Sequence, residues 1–325
     1  MPDVSRYILR RLGQAAFVLV VAYVVSYLVL WALPGDALAS ITGGQSSDLS
    51  AQQLAAIRAE WGLDQPVPVR LATAAQHALS GDFGRSFVSG RPVSALIAES
   101  LPATLEIAGL GIVFALIAGT GIAVAATRSR SSRLRGLLLS LPPLGVAIPS
   151  FWLGLLLIQF FSFQLPIFPA TGNDGFESAV LPAITLAVPT SALVAQLLAQ
   201  GLERELRQPY ADTARAKGAS PARVQLSHAF RNAALPALTI AGLLVGQLLA
   251  GSVVTETVFG RTGVGRLTAD AVAAQDIPVV QGVVVFGALV FVIVNLTVDL
   301  LYPLLDPRIV TSRPARRAAL KAVPA

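Results

Sequence analysis

The stretch Leu12–Leu33, LGQAAFVLVVAYVVSYLVLWAL, decides the class of fold. It carries no charged residue, and about 20 apolar residues are enough for a helix to cross the hydrocarbon core of a bilayer. Arg6, Arg10 and Arg11 stand before it. A cleavable signal segment has the same layout, and Ala37-Leu38-Ala39 offers a small-residue site, but such segments usually hold an apolar run of about 7–15 residues. The run here is longer and reads as a retained span. Five further runs of Leu, Val, Ile, Ala and Gly follow at 101–126, 137–163, 181–202, 236–258 and 280–304, each bounded by charges or by Pro/Gly clusters.

Six spans are consistent with the composition. The 325 residues are 54% hydrophobic and 13% charged, with a mean hydropathy of +0.68. Soluble domains carry about 25% charged residues, so the main solvent is a bilayer. The net charge of +6 belongs to the segments between spans rather than to a nucleic-acid surface. With an inside N-terminus, the outside segments hold Arg58, Arg70, Arg85, Arg91, Arg261 and Arg266. Every other basic residue falls in 1–11, 127–136, 203–235 or 305–325. This bias puts those four segments, and both termini, in the cytoplasm. The fold class is an all-α polytopic membrane protein of the cell (inner or plasma) membrane. It divides into an N-terminal arm and first span (1–33), an extracytoplasmic segment (34–100), a five-helix core (101–305) and a cytoplasmic tail (306–325). Within 34–100, Ser50 and Gln53 predict a capping box and Gly62 a helix stop. Segments 164–180 and 259–279 predict turns and short helices.

The chemistry of most enzymes is missing. There is no cysteine, and His77 and His228 lie on opposite sides of the membrane. That removes zinc sites and a serine–histidine pair. Asp299 is the only aspartate in a span, so an aspartyl dyad is absent. No lysine stands in a GK[ST] setting (Lys217 follows Ala216, Lys321 follows Leu320), so no phosphate-cradling loop exists in this chain. Coupled carriers usually place ionisable groups at mid-membrane. Here Glu106 and Glu256 fall near outer ends of spans and Asp299 near an inner end, which favours interfacial or locally paired roles. Gly242 and Gly246 have the spacing of a close helix–helix approach.

The informative connection is 203–235, too long for a simple hairpin turn. Glu203–Lys217 predicts a first helix, with Glu203 and Arg207 at i,i+4 spacing and Gly218 as its stop. Ser220-Pro221 predicts the start of a second, with a capping serine and proline at the first helical position. In that second helix Val224, Ala229 and Phe230 would form a partly apolar exposed face, flanked by Arg223 and Arg231. Such a hairpin can carry force from a partner into the spans, or lie on anionic lipid.

The run from Tyr210 to Pro236, YADTARAKGASPARVQLSHAFRNAALP, resembles the cytoplasmic EAA-type loop of ABC importer permeases, in the form of the dipeptide/oligopeptide/nickel branch and its first (B-type) subunit. Asp212, Ala214 and Gly218 take the acidic, alanine and glycine positions, with Asp in place of Glu and Thr213 in place of the first alanine. Further similar stretches are Arg10-Arg11, Leu33-Pro34-Gly35-Asp36, Gly81–Ala108, Pro149-Ser150-Phe151-Trp152, Leu165-Pro166, Ala170-Thr171-Gly172, Glu256-Thr257-Val258-Phe259 and Asp306-Pro307-Arg308. Arg261-Thr262 departs from the family, which more often has Trp-Pro there. The resemblance implies a type I importer permease without ATPase activity of its own. Asp212, Thr213, Ala214, Arg215, Ala216, Lys217, Gly218, Ser220 and Pro221 would form the coupling loop, docking on an ATP-binding subunit. It also implies a homologous second permease, two ATP-binding subunits that hold the ATP and Mg, and an extracytoplasmic solute-binding protein, in a membrane-lipid setting. The cargo implied is di- or oligopeptide, with nickel chelate, glutathione or oligosaccharide as alternatives in the same permease type. An ATP-independent secondary carrier or a scaffold remains open on the residues alone.

Overall fold

The computed structural model describes residues 2–32, 41–42, 50–60, 64–239 and 241–305. Among these the secondary structure is helical apart from turns and an isolated bridge between Arg85 and Pro92. Helix α1 spans Pro2–Ala32, and the short outer helices α2 (Ala51–Glu60) and α3 (Val67–Leu79) follow it. The capping box forms at the start of α2: Gln53 N–H donates to Ser50 Oγ, and Ser50 N–H donates to Gln53 Oε1. Gly62, the expected stop, lies outside the described residues, as do Leu33-Pro34-Gly35-Asp36, the tail 306–325 and the side chain of Asp299.

The core opens with α4 (Val93–Arg128) and closes with α12 (Ile277–Leu305). Between them lie α5 (Ser132–Ala147), α6 (Ser150–Ile158, prolonged by a π-helical turn Gln159–Gln164) and α7 (Glu177–Leu206). Next comes α8 (Pro209–Ala216). Helix α9 follows in three parts: Pro221–Arg223, the π-helical Val224–Ala229 and Phe230–Thr239. Helices α10 (Ala241–Val258) and α11 (Val264–Ala273) complete the set. Helices α1, α4, α7 and α12 contain stretches long and apolar enough to cross a bilayer. The bent pair α5–α6 is apolar enough for a fifth crossing if its two arms act as one broken span, and α10 contributes the shorter apolar stretch Leu244–Val258.

The run 137–163, expected as one span, is bent by 100° between α5 and α6. Proline explains the position of the break. Pro149 cannot donate a backbone hydrogen bond and pushes the preceding residue out of the helical region. Ile148 accordingly sits at φ −74°, ψ 123°.

Helix α7 is the centre of the bundle: 67% of its apolar stretch is buried, against 6% for α1. It packs most extensively on α4, and the reason is legible in α4. Gly111, Ala115, Gly119 and Ala123 recur every four residues and are all buried, so one face of α4 is a smooth stripe. A Cβ at Gly119 would lie 2.8 Å from both Ser191 O and Val194 Cβ of α7. Small residues let membrane helices approach closely where no hydrophobic force drives them together. Of the pair Gly242 and Gly246, Gly246 packs against the ring of Phe291 on α12, and the side chains of α10 around position 242 lie outside the described residues. Helix α1 rests mainly on α12, where Gln281 Nε2 donates to Tyr23 O at 3.1 Å.

Candidate functional site

The hairpin expected within 203–235 forms with one boundary moved. Glu203 belongs to the end of α7, not to a separate helix, and its carboxylate pairs with Arg135 (2.5 Å) of α5 instead of Arg207. The break falls at Arg207–Gln208, because Pro209 starts α8 and extends the residue before it (Gln208 φ −77°, ψ 148°). The stop and restart are as the sequence predicts. Gly218 sits at φ +85°, a conformation that favours glycine. Ser220 Oγ accepts from Arg223 N–H at 3.3 Å, and Pro221 opens the next helix.

The faces of this hairpin differ from expectation. Val224 and Ala229, expected on an exposed apolar face, are fully buried, and Phe230 is half-buried. Gln225 explains the inversion. It is buried, and its Nε2 donates to Val124 O (3.1 Å) and Thr127 Oγ1 (2.7 Å) at the cytoplasmic end of α4. Those bonds turn Val224 and Ala229 inward, and Ala229 and Ala233 join Leu198, Ala199, Leu202 and Ala123 in a packed cluster. Gly201 admits this contact, since a Cβ there would lie 3.1 Å from Ala233 O. Tyr210 ties α8 down by donating to Glu205 Oε2 at 2.9 Å.

What faces outward is the predicted loop itself. Asp212, Thr213, Arg215, Ala216, Lys217, Gly218, Ser220 and Pro221 are exposed and Ala214 is half-buried, with the apolar Leu226 exposed beside them. Asp212 and Arg215 form an ion pair at 2.6 Å, and Arg215 also donates to Leu206 O. The hairpin therefore has one face fixed to α4 and α7 and one face exposed. Phe230 links it to the membrane interior. Its ring lines a cavity of about 320 Å³ whose other walls include Leu116, Thr120, Val194, Leu244 and Val245, from α4, α7 and α10. Movement of the hairpin would alter that cavity directly.

The outer end holds buried charges that reading the sequence as loops missed. Arg261, between α10 and α11, is completely buried. Its guanidinium donates to Glu106 Oε2 (2.6 Å) on α4, to Ser178 Oγ (3.0 Å) and to Gly172 O (3.2 Å). The fully buried Glu256 accepts from Thr104 Oγ1 (2.6 Å) and from Arg266 N–H (2.9 Å). Thr104 Oγ1 in turn accepts from Val264 N–H at 2.8 Å. Helix α11 thus has its first amides capped by groups from α4 and α10, a favourable place for a carboxylate. Gly263 must lack a side chain, because a Cβ would run into the Glu256 carboxylate. Asp276, at the start of α12, accepts from Ser86 Oγ and Phe87 N–H and so anchors the 84–92 turn. The sequence offered only that Glu106, Glu256, Arg261 and Arg266 fall near the same end of the spans, with nothing in it to pair them.

Residues 111–311 match the family described as binding-protein-dependent transport system inner membrane component, and residues 4–108 match its N-terminal companion. A protein named as a peptide transport system permease of Brucella abortus (strain 2308) is 38% identical over 310 residues, covering 93% of this chain and 98% of the relative. The glutathione transport system permease protein GsiC of Salmonella paratyphi A is 38% identical over 303 residues, with the same coverage of each chain. A solved amino acid ABC transporter overlays with a TM-score of 0.47 at 20% identity, over 66% of this chain and 94% of that one.

Proposed function

Since the chain belongs to the binding-protein-dependent transport system inner membrane components, the permeases of ABC importers, we propose that it forms part of a peptide-import pathway driven through its cytoplasmic hairpin. The observation that carries the coupling role is the two-faced hairpin. Buried Val224, Gln225 and Ala229 bind it to α4 and α7, while Asp212, Thr213, Arg215–Gly218, Ser220 and Pro221 are exposed. In this reading two ATP-binding subunits, holding ATP and Mg, grip the outward face. A homologous second permease completes the pathway, and an extracytoplasmic binding protein delivers the solute.

The cycle is alternating access. ATP binding closes the ATPases and moves the hairpin, and the spans open outward; hydrolysis returns the cavity to the cytoplasm. Moving a two-state equilibrium from 1:99 to 99:1 takes about 5.5 kcal/mol of differential binding, which partner ATPases can provide. The peptide reading is supported by the names of two relatives, one a peptide and one a glutathione permease. Glutathione is itself a tripeptide, so both names point to amide-linked cargo.

The test is uptake in a strain lacking this chain. Wild type should restore accumulation of radiolabelled dipeptide only together with its ATPase and sister subunits, and unlabelled di- to pentapeptides should compete. Transport by the chain expressed alone would establish an ATP-independent carrier instead. Competition by nickel chelate or oligosaccharide, but not by peptides, would reassign the cargo.

A further inference from the structure

Helix α10 presents a face that lipid does not fit. Gln247, Ala250, Val254 and Thr257 are all exposed and recur at three- and four-residue spacing, which places them on one side of the helix. Among the described side chains of 244–258, Val254 is the one large apolar group exposed, at 38%. The outward faces of other spans are different: α1 exposes Phe17 and Val20, α4 exposes Val113 and Ile117, and α12 exposes Leu289 and Ile293. The remaining sides of α10 are occupied. Leu248 is buried with Ile107 and Leu186, Glu256 accepts from Thr104, and Gly246 packs on Phe291.

Gln247 stands about 16 Å from Val258, the outer end of α10, at about 1.5 Å per residue. That is near the middle of a hydrocarbon core about 30 Å thick. Its side chain makes no hydrogen bond to a described residue. A carboxamide holds two donor hydrogens and a carbonyl acceptor, and lipid chains can satisfy none of them. One turn earlier, Leu244 walls the cavity of about 320 Å³ that Phe230 also lines. Gln247 therefore sits beside a void that the hairpin can reshape. A carboxamide can accept from an N–H and donate to a C=O at once, the pair that a peptide bond offers whatever its side chains. That suits cargo defined by its amide links rather than by its side chains.

We propose that Gln247 faces the aqueous passage at mid-membrane and hydrogen-bonds the main-chain amide of a peptide in transit. Its oxygen accepts from the peptide N–H and its nitrogen donates to the peptide carbonyl. Such a contact presupposes the peptide-import reading and adds to it the residue that touches cargo.

The chain contains no cysteine, so Gln247→Cys carries its only thiol. The assembled transporter with its binding protein, in nanodiscs and held with a non-hydrolysable ATP analogue, is treated with sulfonatoethyl methanethiosulfonate. Mass spectrometry follows the modification of this chain. The thiol should react roughly tenfold faster than that of Val20→Cys on α1, because a sulfonate avoids hydrocarbon. Dialanine at about four times its Kd should slow the reaction roughly fivefold, by occupancy alone. In proteoliposomes, wild type should prefer dialanine to alanyl-lactate, its ester analogue without the amide N–H. That preference should shrink roughly fivefold in Gln247→Leu, the worth of one hydrogen bond. An unreactive thiol, the result of a sealed contact with the sister permease, would overturn the assignment. So would a rate equal to that at Val20, a rate indifferent to dialanine, or an unchanged preference in Gln247→Leu. Absence of dialanine uptake by wild type would overturn the peptide reading and this contact together, whereas the other failures, with uptake intact, strike Gln247 alone.

Discussion

Arg261 and Glu106 pair at 2.6 Å, but only one of them is sealed: the arginine side chain is 0% exposed and the glutamate 37%. That asymmetry fixes how their removal should differ. Arg261→Met abolishes hydrogen bonds to Ser178 and Gly172, about 1 kcal/mol each. It also loses the ion pair, reduced to about 1 kcal/mol because water can reach the abandoned Glu106. The expected loss is about 3 kcal/mol. Glu106→Leu instead strands a charged guanidinium in a site water does not reach, where removing one partner of a buried pair costs about 3–5 kcal/mol. The double variant strands neither member of the pair, although buried Glu256 loses its positive neighbour Arg261 as it does in Arg261→Met. The loss should stay about 3 kcal/mol, less than the sum of the two. Equilibrium unfolding in mixed micelles, followed by tryptophan fluorescence, gives the three values. If the double variant equals the sum of the singles to within about 0.5 kcal/mol, the buried pair does not exist as described.

Gly119→Val drives a Cβ against Ser191 O and Val194 of α7. Overpacking of this kind costs about 1–3 kcal/mol, and the midpoint of the same unfolding transition should fall with it. Gly218→Val meets open space but must hold φ +85°, a strain of roughly 1–2 kcal/mol for an L residue. Membrane insertion should survive while peptide uptake falls to background, and normal uptake at normal expression would remove the coupling role. Asp212→Lys should likewise stop uptake, and it should lower the ATPase response to added binding protein in reconstituted vesicles. Gln225→Leu gives up two bonds to α4, about 2 kcal/mol. Its signature should be faster hydrogen exchange across 221–234, measured by mass spectrometry.

The sequence carries the span pattern because hydropathy is local: each run reports its own solvent. The hairpin was readable for the same reason, since Pro209, Gly218, Ser220 and Pro221 act on their immediate backbone. The bend at Pro149 was also within reach, as a proline with Ile148 forced extended. Distance hid the rest. Arg261 and Glu106 lie 155 residues apart in the chain, so a loop arginine gave no sign that it would be swallowed. The inward turn of Val224 depends on Gln225 finding the carbonyl of Val124, 101 residues earlier. Helical spacing alone could not choose which face would dock.

The bond between Gln281 and Tyr23 joins residues 258 apart. Ribosomes add about 5–20 residues per second, so the first hydrophobic helix waits roughly 13–50 s in the bilayer before the helix it leans on has been made. During that interval its flank is open to insertases and membrane proteases. Losing the final helix should therefore mark the whole nascent polypeptide for degradation, even though most of the bundle would already be assembled.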